Sequence, residues 1–548
     1  MTLATGTSPK TVPPRVAPRR AVDATSVLVI LLLILHATLA WAGRRPGIAT
    51  AQDDATYVIL AQSIRDGGYN ERFRVDQPVH NMYPPAYPAA LALWGLPFGD
   101  AYDWLVLLSV LASTGALALM FLTVRRVVDE RIALLSLLPL ALNPEMIHYA
   151  GTIASEAPFA LLAMTSMYLL AREKVEARTL GLATAAVIVG ALTRSIGITL
   201  LASIWIWTVM QRRWKAAAWI AVASALTVGI WMAWTVLSPE QYIGKSYIAD
   251  ALAYRNARFS PLELFIRRIA GTVPFYGMRG LPWALAVPTI PDTAVDNAVL
   301  GIVTIVGIAA GILTLRMRWR LAVIYLLVYA VLLAVWSWKM ERFLVPVLPV
   351  LVPVLLTGLW SLGKRLHPAG GTVAALVFAV ILAGGATART AELIAMRSIC
   401  PRGTTRPAYS CMQVDQISYF NALDYIAENT APDVQILTFK PEAMFLYTGR
   451  RAVYGPRALS VAPGEFLGHL RAEGTDYILL GSLQNYEIGL LARRLRDNCE
   501  ALAVVQFFPI RTWLFRLRAA GEPTGRDGCE AMERFTAANA DRDFNAGI

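Results

Sequence analysis

The chain of 548 residues is 56% hydrophobic and only 16% charged, with 15 Trp and a mean hydropathy of +0.49. That composition excludes a soluble globular domain, because apolar runs near twenty residues, each able to cross roughly 30 Å of hydrocarbon, recur along most of it. The formal charge of +12 does not indicate nucleic acid: Arg and Lys fall mainly in short clusters between apolar runs, as in cytoplasmic loops.

Residues 1–24 form a Pro-, Thr- and Arg-rich tail carrying Lys10, Arg15, Arg19 and Arg20, expected on the cytoplasmic side. Thr25–Ala42 is a first span. Its exit, Gly43-Arg44-Arg45-Pro46, is not a small-residue cleavage site, so the helix is expected to stay attached. The loop 44–103 follows, and a second span near Trp104–Val124 ends at Arg125-Arg126. Ile132–Leu142 leads out to Asn143-Pro144 and a polar segment with His148, Tyr149, Ser155 and Glu156. Ala157–Ala171 returns to Arg172, Lys174 and Arg178.

From Thr179 to Met210 the apolar stretch exceeds one span, and Thr193-Arg194-Ser195 interrupts it, which predicts a helical hairpin turning near Arg194. Ala216–Leu237 exits into a long loop, Ser238–Asn297. It holds Lys245, Arg255, Arg258, Arg267, Arg268 and Arg279, cations that either meet an anionic substrate or touch lipid headgroups. Ala298–Leu315, Leu321–Trp338, Phe343–Leu362 and Thr372–Thr387 complete about eleven transmembrane helices. An odd count from a cytoplasmic N-terminus leaves the C-terminus outside.

Beyond Val414 the texture becomes that of a small extracytoplasmic α/β domain within residues 391–548. Helices are expected at Ile417–Asn429, Gly464–Arg471 and Tyr486–Leu495. Strands are expected at Val434–Phe439, Asp476–Leu480, Ala503–Phe508 and Thr512–Leu517. All four cysteines lie beyond the last apolar run; pairs Cys400–Cys411 and Cys499–Cys529 suit an oxidising compartment, against the alternative of four unrelated thiols.

The chemistry concentrates in loop 44–103. Asp53-Asp54 open an interfacial helix with Tyr57, Leu60, Ala61 and Ile64 on one face, ended by Gly67-Gly68. Capping of the helix N-terminus accounts for one acid; a pair beside a membrane cavity leaves catalysis as the competing reading. Tyr83, Pro84, Pro85, Tyr87 and Pro88 stiffen the return into the membrane and shape the wall of a pocket.

This pattern resembles the first-loop signature of the GT-C class glycosyltransferases, in the protein mannosyltransferase-like branch that includes the aminoarabinose transferases. The resemblance rests on Asp53-Asp54-Ala55-Thr56-Tyr57, Leu60-Ala61-Gln62-Ser63-Ile64, Gly67-Gly68-Tyr69 and Tyr83-Pro84-Pro85-Ala86-Tyr87-Pro88. In the same order follow Ser155-Glu156, Leu192-Thr193-Arg194 and Glu341-Arg342-Phe343-Leu344-Val345-Pro346. Family members often carry Glu at the second acidic position and Gly where Ala86 stands. The likeness covers residues 25–390.

It implies an inverting transfer of sugar from a polyprenyl-phosphate donor to a lipid, a cell-envelope glycan or a protein, in the bacterial inner (plasma) membrane. Asp53 matches the family's catalytic acid and is expected as general base, with Asp54 supporting it or holding a divalent metal ion, the one cofactor left open. Arg194 and Arg342, with Lys339 behind them, are expected at the donor's phosphate. Glu156 either pairs with one of these arginines or binds a metal with His148; Tyr57, His80, Tyr83 and Tyr87 are expected around the substrate. The competing function is a transporter or flippase of a lipid-linked anion, which needs charges within the spans; a third reading is an inactive scaffold.

Overall fold

The computed structural model describes residues 24–48, 53–172, 174–238, 260–288, 294–336, 339–401, 404, 406–459, 461–481 and 487–539. The expected N-terminal tail and the loop cations Lys245, Arg255 and Arg258 lie outside them.

The membrane part begins with α1 (Ala24–Ala42), the loop helices α2 (Asp54–Arg65) and α3 (Ala86–Trp94), and the long α4 (Tyr102–Val127). Next come α5 (Glu130–Ala141), α6 (Pro144–Ala150) and α7 (Glu156–Leu170). The expected hairpin follows as α8 (Ala177–Thr193) and α9 (Ile198–Met210). Arg194 is extended between them (φ −151°, ψ 130°) and a 3-10 turn covers Ser195–Gly197. Gly197 is required there: a Cβ would sit 2.7 Å from Ala191 Cα.

Among the described residues, five helices are by length and composition able to cross a membrane, or six if the α5–α6 pair, bent by 64°, counts as one span. Five more apolar helices have 10–17 residues. At 1.5 Å per residue the shorter ones fall below the roughly 30 Å of a hydrocarbon core, so the expected eleven requires counting every one of them. The expected loop Ser238–Asn297 is largely helical where described, with helices at Pro261–Pro274 and Leu281–Ala284 around a π-helical turn, Phe275–Gly280.

Helices Ala294–Leu315 and Leu348–Leu366 meet backbone to backbone. A Cβ at Gly311 would lie 2.0 Å from the Val354 carbonyl oxygen, and one at Gly358 would lie 1.9 Å from that of Gly307. Gly307 and Gly311 make a small-residue stripe four apart, the arrangement that lets membrane helices approach closely. This contact anchors the span Glu341–Leu366, whose described window is 94% buried.

The last long helix, Gly370–Ser398, runs through residue 390, so the chain passes to its second fold unit after Ser398 rather than at the expected boundary. That unit is a five-stranded sheet of β1 (Ile436–Thr438), β2 (Ala452–Tyr454), β3 (Tyr477–Gly481), β4 (Leu502–Phe508) and β5 (Thr512–Leu517), ordered β2-β1-β3-β5-β4. β1 runs parallel to β2 and β3, while β5 is antiparallel to both β3 and β4. Cys400–Cys411 and Cys499–Cys529 are disulfide-bonded, as the confinement of the cysteines suggested.

The two units are joined through the first loop. Ala452 N donates to the Phe73 carbonyl (2.9 Å) and Val75 N to the Ala452 carbonyl (3.3 Å), so the loop lies along the free edge of β2. Tyr447 donates its hydroxyl to the Ile48 carbonyl at 2.7 Å. Covering the edge strand also satisfies its unpaired backbone groups.

Candidate active site

α2 ends as its sequence predicts, with Gly67 in the left-handed region at φ +84°. Its burial differs from that of an interfacial helix: every residue from Asp54 to Ala61 is buried. The membrane bundle covers one side, and the helix Pro441–Thr448 of the C-terminal unit covers the other.

Asp53 stands at the N-cap of α2, yet its side chain makes no capping hydrogen bond. Its carboxylate turns away from the helix. Oδ1 accepts from the Tyr83 hydroxyl at 2.9 Å, and Oδ2 accepts from Arg342 Nη2 at 2.7 Å. Capping is therefore excluded as the reason for this acid. Asp54 does cap locally, its Oδ1 accepting from Ala55 N at 2.9 Å, while its Oδ2 is buried with no hydrogen-bond partner among the described residues.

The arginines converge on Glu156 at the start of α7. Arg194 Nη1 lies 2.9 Å and Arg342 Nε 3.3 Å from its Oε1. Arg194 also donates to Ser155 Oγ at 2.9 Å, and that hydroxyl is 3.2 Å from the Tyr57 hydroxyl. Asp53, Arg342, Glu156 and Arg194 thus form one alternating string of charges. Side-chain exposure falls from 19% at Asp53 through 15% at Arg342 to 9% at Arg194 and 2% at Glu156, so the string is open at the Asp53 end. Glu156 pairs with both arginines, the ion-pair alternative of its two expected roles.

Behind Tyr83 a second string leads back to the sheet. His80, expected around the substrate, is fully buried. Tyr83 N donates to His80 Nε2 at 2.8 Å, which assigns the ring proton to Nδ1, 2.8 Å from Glu71 Oε1. Glu71 in turn accepts from Arg74 at 3.2 Å, and Arg74 bridges to Ala452 at the edge of β2. The His80 and Tyr83 rings stack at 5.3 Å. His80 therefore positions Tyr83. Tyr87 is fully buried edge-on to Tyr57 at 4.8 Å, beneath the site rather than at its wall.

Lys339 does not join the cluster. It is exposed, with Nζ over Gly271 of the helix Pro261–Pro274. The loop cations are also engaged locally, Arg279 with Glu341 at 2.9 Å and Arg267 with Glu263 at 3.1 Å.

One cation escaped the sequence reading. Lys440 follows β1 and opens the helix Pro441–Thr448, at the C-terminal end of a parallel strand, where open α/β sheets present ligand-binding groups. Its Nζ lies 3.5 Å from Glu442 Oε1. Burial works against its charge, but Glu442 and then Asp53 more than offset that and raise its pKa. Reciprocally, burial alone would raise Asp53, yet the Arg342 charge, the hydrogen bonds from Arg342 and Tyr83, and Lys440 hold it below the usual carboxylate value. Burial dominates at Asp54 and pushes it up to about 6, although Arg45 and the Ala55 amide pull the other way. The adjacent acids are thus driven in opposite directions.

A divalent ion does not fit this donor set. Both oxygens of Asp53 are engaged, Asp54 offers a single open oxygen, and no group of three His, Cys, Asp or Glu residues converges among the described residues.

No family model and no curated protein sequence matches the chain. Solved structures do. ArnT from Cupriavidus metallidurans in the apo state superposes with a TM-score of 0.56 at 14% identity, over 90% of this chain and 98% of that one. The same protein bound to undecaprenyl phosphate gives 0.55 at 14%, over 92% and 100%. The archaeal oligosaccharyltransferase AglB from Archaeoglobus fulgidus, in complex with an inhibitory peptide and a dolichol-phosphate, gives 0.53 at 14%, over 87% and 72%. At this identity the likeness is one of fold. The chain has the GT-C fold that its motifs resemble.

Proposed function

We propose that this protein is an integral membrane glycosyltransferase that moves a sugar from a polyprenyl-phosphate donor to an extracytoplasmic lipid, cell-envelope glycan or protein, with inversion and with Asp53 as general base. Residues 25–398 hold the transfer site, and the C-terminal unit closes over it. The observation that carries this reading is the geometry at Asp53: an ionised carboxylate at the open end of a buried charge string, held by Arg342 and Tyr83. The fold shared with ArnT and AglB, solved with undecaprenyl phosphate and with a dolichol-phosphate, supports the class of donor.

In the reaction an acceptor oxygen bonds to the anomeric carbon while the bond from that carbon to the phosphate oxygen breaks. The phosphate leaves with the bonding pair, and Asp53 takes the acceptor's proton. Arg342 serves both ends. In the free protein it lies against Asp53 and Glu156; as charge grows on the leaving phosphate it turns toward that group, stabilising it and freeing Asp53 to bind a proton more strongly. Glu156 and Arg194, deeper in the fold, keep Arg342 beside the site as it turns. The transport reading has less support, since the string lies at helix starts and breaks rather than along a path through the bundle.

Mass spectrometry of lipid extracts from cells lacking the protein tests this reading. A polyprenyl-phosphate sugar should accumulate and disappear again when the gene is restored. Identical lipid-linked sugar pools with and without the protein would overturn the assignment.

A further inference from the structure

A second polar constellation lies apart from Asp53, where α1 ends beside the last turn of the helix Gly370–Ser398. A cleft there is lined by Arg44, Arg45, Tyr102, Asp103 and Arg397. Arg44 is neutralised by Asp103 through two contacts, Nε to Oδ1 at 2.7 Å and Nη2 to Oδ2 at 3.0 Å. Arg45 and Arg397 both turn to one imidazole: Arg45 Nη2 is 3.1 Å from His148 Nε2, and Arg397 Nη2 is 2.6 Å from His148 Nδ1.

This triad has too many donors. A neutral imidazole offers one acceptor nitrogen and one N–H, so in either tautomer one guanidinium faces a ring proton; a protonated ring would be a third cation. Arg397 gives its other nitrogen to the Gly43 carbonyl and has no carboxylate within ion-pair distance among the described residues. Tyr102 adds a further donor. It lines the cleft, is 3% exposed, and its hydroxyl has no hydrogen-bond partner among the described residues. A buried polar group left in that state is unfavourable, so the arrangement calls for an acceptor.

We propose that this cleft is a phosphate-binding site in which the anion's oxygens accept from Arg45, Arg397 and the Tyr102 hydroxyl. Guanidinium groups match phosphate oxygens in charge and in planar donor geometry. Once the anion takes donors from both arginines, His148 needs to accept from only one of them, and the conflict is relieved. α1 and Gly370–Ser398 are both candidate spans, so their ends bring the cleft to the level of lipid headgroups. The phosphate therefore belongs to a phospholipid headgroup or is free in solution.

The test uses the full chain in phosphatidylcholine nanodiscs, with thermal unfolding followed as inorganic phosphate is titrated in, or as phosphatidylglycerol replaces part of the phosphatidylcholine. Stabilisation by inorganic phosphate assigns a soluble ligand, and stabilisation by phosphatidylglycerol alone assigns a headgroup. In either case the apparent affinity should fall about tenfold or more in Arg397→Gln and by a smaller factor in Tyr102→Phe. If Arg397→Gln fails to fold, Tyr102→Phe decides, because it removes one oxygen without changing charge. No stabilisation of the wild type by either probe, or equal stabilisation of wild type and Tyr102→Phe, would overturn the proposal.

Discussion

Replacing Asp53 by Asn tests the base assignment with little change in shape. In the wild type the carboxylate accepts one hydrogen bond from Tyr83 at 2.9 Å and a charged one from Arg342 at 2.7 Å. Asn keeps one acceptor oxygen. Its amide turns that oxygen to Arg342 and its NH₂ to Tyr83, whose hydroxyl can rotate to accept. Arg342 keeps Glu156 at 3.3 Å, so its charge is not stranded. The loss of stability is then one charge-assisted hydrogen bond, about 1.5–3 kcal/mol, and the protein still folds.

The catalytic loss is larger. A positioned general base contributes about 10²–10⁴-fold, which at about 1.4 kcal/mol per tenfold is about 3–5.5 kcal/mol of barrier. Because proton transfer is felt only in the transition state, kcat and kcat/KM should fall together. The assay is release of polyprenyl phosphate from a radiolabelled polyprenyl-phosphate sugar by protein in detergent, normalised to folded protein. Turnover by Asp53→Asn within threefold of wild type would refute the base assignment, and with it the reading of Arg342 as a group that arms this base.

Asp54 gives a prediction of opposite sign. Its folded pKa, about 6, stands above the ordinary value of 3.8 because burial disfavours the charge. The cost of ionising it in the fold is absent below about pH 4 and grows as pH rises to 6, reaching about 3 kcal/mol for two units. Asp54→Asn should therefore stabilise the protein at pH 8 by up to that amount and leave it unchanged at pH 4, as read by denaturant unfolding followed by tryptophan fluorescence; equal effects at both values would contradict the assignment. Lys440 favours ionised Asp53, so Lys440→Gln should move the acid limb of the pH–turnover profile upward, and Glu442→Gln should move it downward. A common direction, or no movement in either variant, would remove the C-terminal unit from the site.

Much of this site was legible before any fold was known. Asp53, Arg194, Glu156 and Arg342 each sit in a short motif with a membrane-edge position, and all four meet in one string. The strands and helices expected in the C-terminal unit are found close to their bounds, whereas β2 and the helices Pro441–Thr448 and Asp527–Ala538 were not expected; the three residues of β2 are too few to show alternation. Lys339 and His80 misled for a common reason. Exposure and burial at a loop depend on what the rest of the chain packs against it, and single residues carry no periodic signal of that. The one-sided helix expected to open at Asp53-Asp54 is buried on every side from Asp54 to Ala61 for the same cause.

What the amino-acid order determined by itself is the solvent of each segment and the local breaks: apolar runs that belong in hydrocarbon, an interruption at Arg194, a left-handed stop at Gly67. These depend on transfer free energy and backbone sterics within a few residues. Only the tertiary structure decided which partners each acid meets. Asp53 and Arg342 are 289 residues apart, and their 2.7 Å contact takes Asp53 out of its expected role as a cap. Lys440 reaches the acidic pair because the first loop pairs with the edge of a sheet formed far along the chain. Charge interactions fall with distance in space, and no local pattern records which distant residues the fold brings together.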